Sequence, residues 1–291
     1  MIRNILVPVD GSELAGRALA FAIDRAGAAA EITVAFVINR ISVSIVTASP
    51  FANVDPAPLL AALDSEAEIV LQSAESLVAK SGITVKAAKL DGVPSSEILK
   101  FARQSSADLI VMGTHGRSGF DRFAVGSTAE DVIRAAGVPV FVVPQRGEAA
   151  NAGKLRHGLV AVDGSPASEA ALTFACGLAL AEGAKLTLCT AIESDDLDRD
   201  VFFRSEAESN AKSVLEAEQS RALALGLVAD TVALEGDADL EILASAEQCG
   251  ADFIVVGTHG RAGIPRLLIG SVAEAVLRTS RLPVCTVRQT S

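Results

Sequence analysis

Short apolar runs alternate along this chain with longer stretches in which apolar residues return every three or four positions. Residues 5–9, 32–38, 83–90, 109–112 and 139–143 are short, mainly apolar runs that read as strands, the run ending at Met112 as a buried one. Between them, residues 13–26, 59–80, 96–105 and 128–136 carry helical periodicity, as in the stripe Leu14, Ala18, Phe21, Ala22, Arg25. Turn chemistry separates the two kinds of segment. Asp10-Gly11-Ser12 ends the first run, with Ser12 placed to cap the first helix, and Gly82 follows the second helix where a left-handed residue is expected. Strand–helix alternation implies parallel strands with right-handed crossovers.

The pattern then repeats. Runs at 159–162, 186–192, 228–234, 253–256 and 284–287 reproduce the first five in order. A period near half the chain means a duplicated domain rather than a solenoid. The expected units are residues 1–146 and 158–291, joined by a linker at 147–157. Two connections differ between the copies. After the second strand, residues 39–58 are long and apolar, which suits a lid, a subunit contact or an insertion. The corresponding 193–200 is short and opens the acidic stretch 193–208, which reads as a solvated loop entering a helix.

One stretch recurs closely. Gly113-Thr114-His115-Gly116-Arg117-Ser118-Gly119 leads on to Gly126-Ser127-Thr128, and Gly257-Thr258-His259-Gly260-Arg261-Ala262-Gly263 leads on to Gly270-Ser271-Val272. Both copies read G-x-x-G, nine residues, G-S, after an apolar run and before a helical one. Ser-x-x-Glu at Ser127–Glu130 and Ser271–Glu274 predicts a capping box at each helix start. Glycines at a strand exit allow close approach to the backbone, and a helix N-terminus offers unpaired N–H donors to an anion. Ser127 is either a cap or a phosphate donor on this reading. One such loop is a common turn; two with the same spacing point to a phosphate site. No G-x-x-x-x-G-K-[ST] loop occurs, which excludes a Walker-type site.

Composition narrows the function classes. Eleven Phe, no Trp and no Tyr leave the cores to small aliphatic residues, as in parallel α/β sheets. Net charge is -11, against nucleic acid as a general partner. The charge is uneven: 13 basic and 15 acidic residues in 1–146, or -2, against 12 and 21 in 147–291, or -9. Cys176, Cys189, Cys249 and Cys285 show no C-x-x-C spacing and read as core residues rather than zinc ligands or a disulfide framework. The chain opens on a strand-like run with no leader pattern, and no apolar run approaches the ~20 residues needed to cross a bilayer. A cytoplasmic location and no membrane partner are the expectation.

With those residues in hand, the chain resembles a tandem universal stress protein. The strand ending Val-Pro-Val-Asp-Gly-Ser at 7–12, its counterpart Val-Ala-Val-Asp-Gly-Ser at 160–165, and the two glycine motifs carry the likeness. The resemblance implies two open five-stranded parallel sheets of order 3-2-1-4-5 with helices on both faces, Rossmann-like. It implies ATP binding, with Mg²⁺. Pro8, Asp10 and Val37, with Ala161, Asp163 and Ala191, would border the adenosine. The residues of each glycine motif named above would wrap ribose and phosphates, and the Gly-Ser-Thr or Gly-Ser-Val triplet would donate to phosphate. Strand five would pair the two domains or two chains, leaving a homodimer open. Asp10 and Asp163 can equally be turn formers. His115 and His259 are hydrogen-bond donors, acids or packed loop residues, and Arg117 and Arg261 bind phosphate or face solvent. Three functions remain: a nucleotide-dependent regulatory binding protein with at most slow ATP hydrolysis, an adenine-nucleotide enzyme, or an interaction protein with vestigial loops.

Overall fold

The computed structural model describes residues 2–27, 29–40, 55–114, 125–145, 154–192, 201–258 and 269–289. The first half runs β1 (Asn4–Pro8), α1 (Glu13–Arg25), β2 (Glu31–Ile38), α2 (Pro56–Lys80), β3 (Thr84–Asp91), α3 (Pro94–Gln104), β4 (Leu109–Gly113), α4 (Ser127–Ala135) and β5 (Val140–Val143). The second runs β6 (His157–Ala161), α5 (Pro166–Glu182), β7 (Lys185–Ile192), α6 (Val201–Ala224), β8 (Asp230–Glu235), α7 (Ala238–Cys249), β9 (Phe253–Gly257), α8 (Ser271–Thr279) and β10 (Val284–Val287).

The strand order is β3-β2-β1-β4-β5 in the first half and β8-β7-β6-β9-β10 in the second, so each half has the order 3-2-1-4-5. The two arrays are not separate sheets, however. β5 and β10 pair antiparallel, with Val142 opposite Val284, Phe141 opposite Cys285 and Val140 opposite Thr286, which makes one sheet of ten strands. The other strand pairs are parallel. Helices cover both faces. Under α1, α2, α5 and α6 lies one apolar cluster, and under α3, α4, α7 and α8 another; each contains residues of both halves. Cys176, Cys189 and Cys285 are buried in these clusters, where loss of hydration pushes the Cys176 thiol up to about 11 and the Cys189 thiol up to about 12.

Local chemistry explains the element ends. Ser12 caps α1, its Oγ accepting from Ala15 N at 3.2 Å, and Ser165 does the same for α5 from Ser168 N at 3.2 Å. The turns before those caps place Gly11 at φ 82° and Gly164 at φ 75°, a conformation that favours glycine. Strand starts are clamped in the same way twice. Asp108 Oδ2 accepts from the amides of Arg3 and Asn4 at 2.8 and 2.9 Å, and Asp252 Oδ2 accepts from those of Arg156 and His157 at 2.6 and 2.9 Å.

Four details depart from the sequence expectations. Gly126 and Gly270, not Ser127 and Ser271, are the N-caps of α4 and α8, and neither makes a side-chain cap bond. There is therefore no capping box; Glu130 and Glu274 form ion pairs one turn on with Arg134 and Arg278. His157 opens β6 rather than lying in a linker. Its Nδ1 donates to Cys249 O at 2.9 Å, leaving Nε2 2.8 Å from the Thr187 hydroxyl. The end of the long apolar connection is helical, since Asp55 caps α2 and Pro56 begins it. Residues 41–54 and 193–200, expected as special connections, lie outside the described residues.

Candidate functional site

The strand order reverses between β1 and β4, and in an open α/β sheet the crevice for a ligand lies beyond the carboxyl ends at that point. A cavity of about 330 Å³ occupies that position in the first half. That volume is at the low end of small-molecule pockets. Its walls come from six places: Pro8, Val9 and Asp10 at the end of β1, Ala15 on α1, Ala35 and Val37 on β2, Pro94 and Ile98 on α3, Met112 to Thr114 at the end of β4, and Gly126 to Ala129 at the start of α4.

Sequence reasoning named Pro8, Asp10, Val37, Gly113, Thr114, Gly126, Ser127 and Thr128, and the fold brings all eight to this one cavity. It missed Val9, Ala15, Ala35, Pro94, Ile98, Met112 and Ala129. Two of these were findable. Pro94 follows β3, whose carboxyl end lies on the same sheet edge, and Ile98 is one helical turn further on. His115, Gly116, Arg117, Ser118 and Gly119, and in the second motif His259, Gly260, Arg261, Ala262 and Gly263, lie outside the described residues.

The geometry suits an anion with an apolar partner. Thr114 receives the β4 exit: its N donates to Val143 O at 3.2 Å, and its carbonyl accepts from Gly126 N at 2.7 Å. That last bond pins the two ends of the glycine loop together at the start of α4. The next amides, of Ser127, Thr128 and Ala129, belong to the first helical turn and have no partner four residues back. They sit at the positive end of the α4 dipole. The second half repeats the pin, with Gly270 N donating to Thr258 O at 2.7 Å.

Gly113 shows why a side chain is not tolerated at the β4 tip. A Cβ there would come within 2.5 Å of Leu14 Cγ. Asp10 shapes the turn, its Oδ1 accepting from Ser12 N at 3.0 Å, and the residue also lines the cavity. Asp163 makes the equivalent turn bond to Ser165 N at 2.9 Å. Asp10 is the sole ionisable side chain among the described residues of the lining. The remainder is glycine, hydroxyl and aliphatic.

The family profile described as "Universal stress protein family" matches residues 1–144 and again 154–288. The chain belongs to the universal stress protein family. A universal stress protein of Mycobacterium tuberculosis is 30% identical over 229 residues, 77% of this chain and 75% of the relative. One from Methanocaldococcus jannaschii is 34% identical over 148 residues, 49% of this chain and 82% of the relative. The crystal structure of a universal stress protein from Archaeoglobus fulgidus covers 99% of this chain and 97% of its own, with a TM-score of 0.75 and 24% identity, which fixes the fold. As a tandem universal stress protein, this chain has a described cavity at the strand-order reversal of its first half.

Proposed function

We propose that this tandem universal stress protein binds an adenine nucleotide, ATP in the first place, and acts through the nucleotide's effect on its shape or partners. The observation that carries the reading is the assembly of one cavity from the ends of β1, β2 and β4 and the N-terminus of α4. Aliphatic side chains of Ala35, Val37 and Ile98 suit the face of a purine. The amides and hydroxyls of Ser127 and Thr128 suit phosphate oxygens, with the open α4 N-terminus behind them. Gly113 lines the same cavity, and its missing Cβ lets α1 pack through Leu14 against the β4 tip. Residues 115–119 of the first motif are proposed to close over the ribose and phosphates, with Arg117 and His115 as donors. Mg²⁺ would arrive on the phosphate oxygens, the ordinary way that ion is held beside a nucleotide.

Hydrolysis is expected to be slow. Phosphoryl transfer to water needs a group that orients the nucleophile and donors that follow the developing charge. The one carboxylate in the described lining, Asp10, already holds the turn through Oδ1. Calorimetric titration of nucleotide-stripped chain with Mg-ATP tests the reading. Saturable heat, with turnover no faster than a slow background, is the expected result. A folded chain that produces no heat at millimolar ATP overturns it.

A further inference from the structure

We infer that the chain holds one nucleotide, in the first half, and that the second half is built against an anionic ligand. The inference rests on the nucleotide reading above and adds stoichiometry and location to it.

The floor and wall change first. Ala35 faces Pro8 across β1 and β2, and the same register position in the second half holds Cys189 opposite Ala161. Both positions are buried, and Cys189 puts a thiol where Ala35 has only a methyl group. Thr128, at the second position of α4, is replaced by Val272 in α8, which removes a hydroxyl from the phosphate end.

Backbone replaces side chain at the strand tip. In the first half, the atoms that crowd Gly113 belong to the Leu14 side chain. In the second half, a Cβ on Gly257 would meet Ala167 C and Ser168 N, both at 2.9 Å. The start of α5 therefore lies directly on the tip of β9. At this point the first half keeps a side chain between helix and strand, whereas the second brings backbone against backbone. Ser168 fastens that turn further, since its Oγ donates to Ser165 O at 3.0 Å and accepts from Asp163 N at 3.4 Å.

Charge changes in the same direction. Glu218 on α6 is buried, and its carboxyl is held above the usual carboxylate range, chiefly by loss of hydration and also by Glu169 and Asp163, against the pull of Arg221. The equivalent residue of α2 is the aliphatic Ala74. At the start of α7 stand Asp237 and Asp239, where α3 has Val93 and Ser95. A triphosphate entering the second cleft would meet Asp163 at the strand tip and two more carboxylates at the rim.

The test uses the intact wild-type chain. Mg-ATP is titrated calorimetrically to give the number of sites. The chain is then labelled with 8-azido-ATP under light, and the labelled peptides are mapped by mass spectrometry. One equivalent per chain, with label confined to peptides within residues 1–145, is expected. Thr128→Val should weaken binding about tenfold, the loss of one hydrogen bond to a charged group, with its thermal unfolding midpoint checked alongside. Two equivalents, or label on peptides of residues 158–289, overturns the inference while leaving nucleotide binding intact. Absence of both heat and label overturns this inference together with the proposed function.

Discussion

At the scale of single residues, one buried position sets the two halves apart. Glu218 stands where the repeat elsewhere has Ala74, and its carboxyl is the clearest case of a group buried against its preference. Arg221 Nε lies 3.3 Å from it, yet loss of hydration outweighs that pairing and raises the carboxyl above its usual 4.5. A group with a raised folded-state value holds its proton more tightly when folded. Its favourable contribution is complete below about pH 4.5 and is lost as pH climbs through the raised value. Glu218→Gln should therefore match the wild type near pH 4 and become progressively more stable than it towards pH 7. Urea unfolding at the two pH values measures this; a variant weaker than wild type at pH 7 would show that the Arg221 pair dominates. Legibility at this scale was mixed. Gly113, Thr114 and Ser127 could be named from spacing alone, because glycine and hydroxyl residues at a strand exit have few other uses. Glu218 could not, because an acidic residue in a helix of mixed polarity reads as solvated until its burial is seen.

At the scale of elements, α1 and α5 show how the copies meet. Their C-terminal ends place Arg25 Nε 3.5 Å from Glu182 Oε1, both side chains nearly inaccessible. The guanidinium also lies 4.3 Å from the centre of the Phe21 ring. Removing one member of a buried pair leaves the other charged and dry, a loss of about 3–5 kcal/mol. Arg25→Ala should destabilise by an amount in that range, and Arg25→Met with Glu182→Leu should recover most of it, as read by chemical denaturation. A double variant no better than the single one would mean that the guanidinium acts through packing on Phe21 rather than charge. The helices and strands themselves were readable within two or three residues, since each apolar run and each stripe has one plausible period. Helix starts were less so. Ser-x-x-Glu suggested a serine cap, but Gly126 N is already committed to Thr114 O, and the helix begins one residue earlier than the Ser would allow.

At the scale of the whole molecule, four phenylalanines bind the halves together. Phe141 on β5 has ring centres of Phe21 at 5.0 Å, Phe174 at 6.3 Å and Phe253 at 6.3 Å, two of them from the second half. Gly158 makes room for this cluster, since a Cβ there would stand 2.3 Å from Phe253 Cζ. With both apolar clusters drawn from both halves, unfolding should be a single cooperative transition. Phe141→Ala should lower stability by about 3–5 kcal/mol and shift one calorimetric peak as a whole. Two resolved peaks would mean that the halves melt independently. Strand–helix alternation in the sequence implied parallel strands, and order 3-2-1-4-5 followed from the family likeness alone. The merging of the two arrays did not follow uniquely, because Val140–Val143 and Val284–Val287 are equally apolar whether they meet within one chain or between two.

The antiparallel seam between β5 and β10 has a directional result. Parallel strands in each half carry their ligand edge at their carboxyl ends, and the seam reverses strand direction between halves. The two crevices consequently open toward opposite rims of the sheet. A small molecule therefore meets one crevice at a time, and the rim of the second half carries Asp237 and Asp239 where that of the first carries Val93 and Ser95.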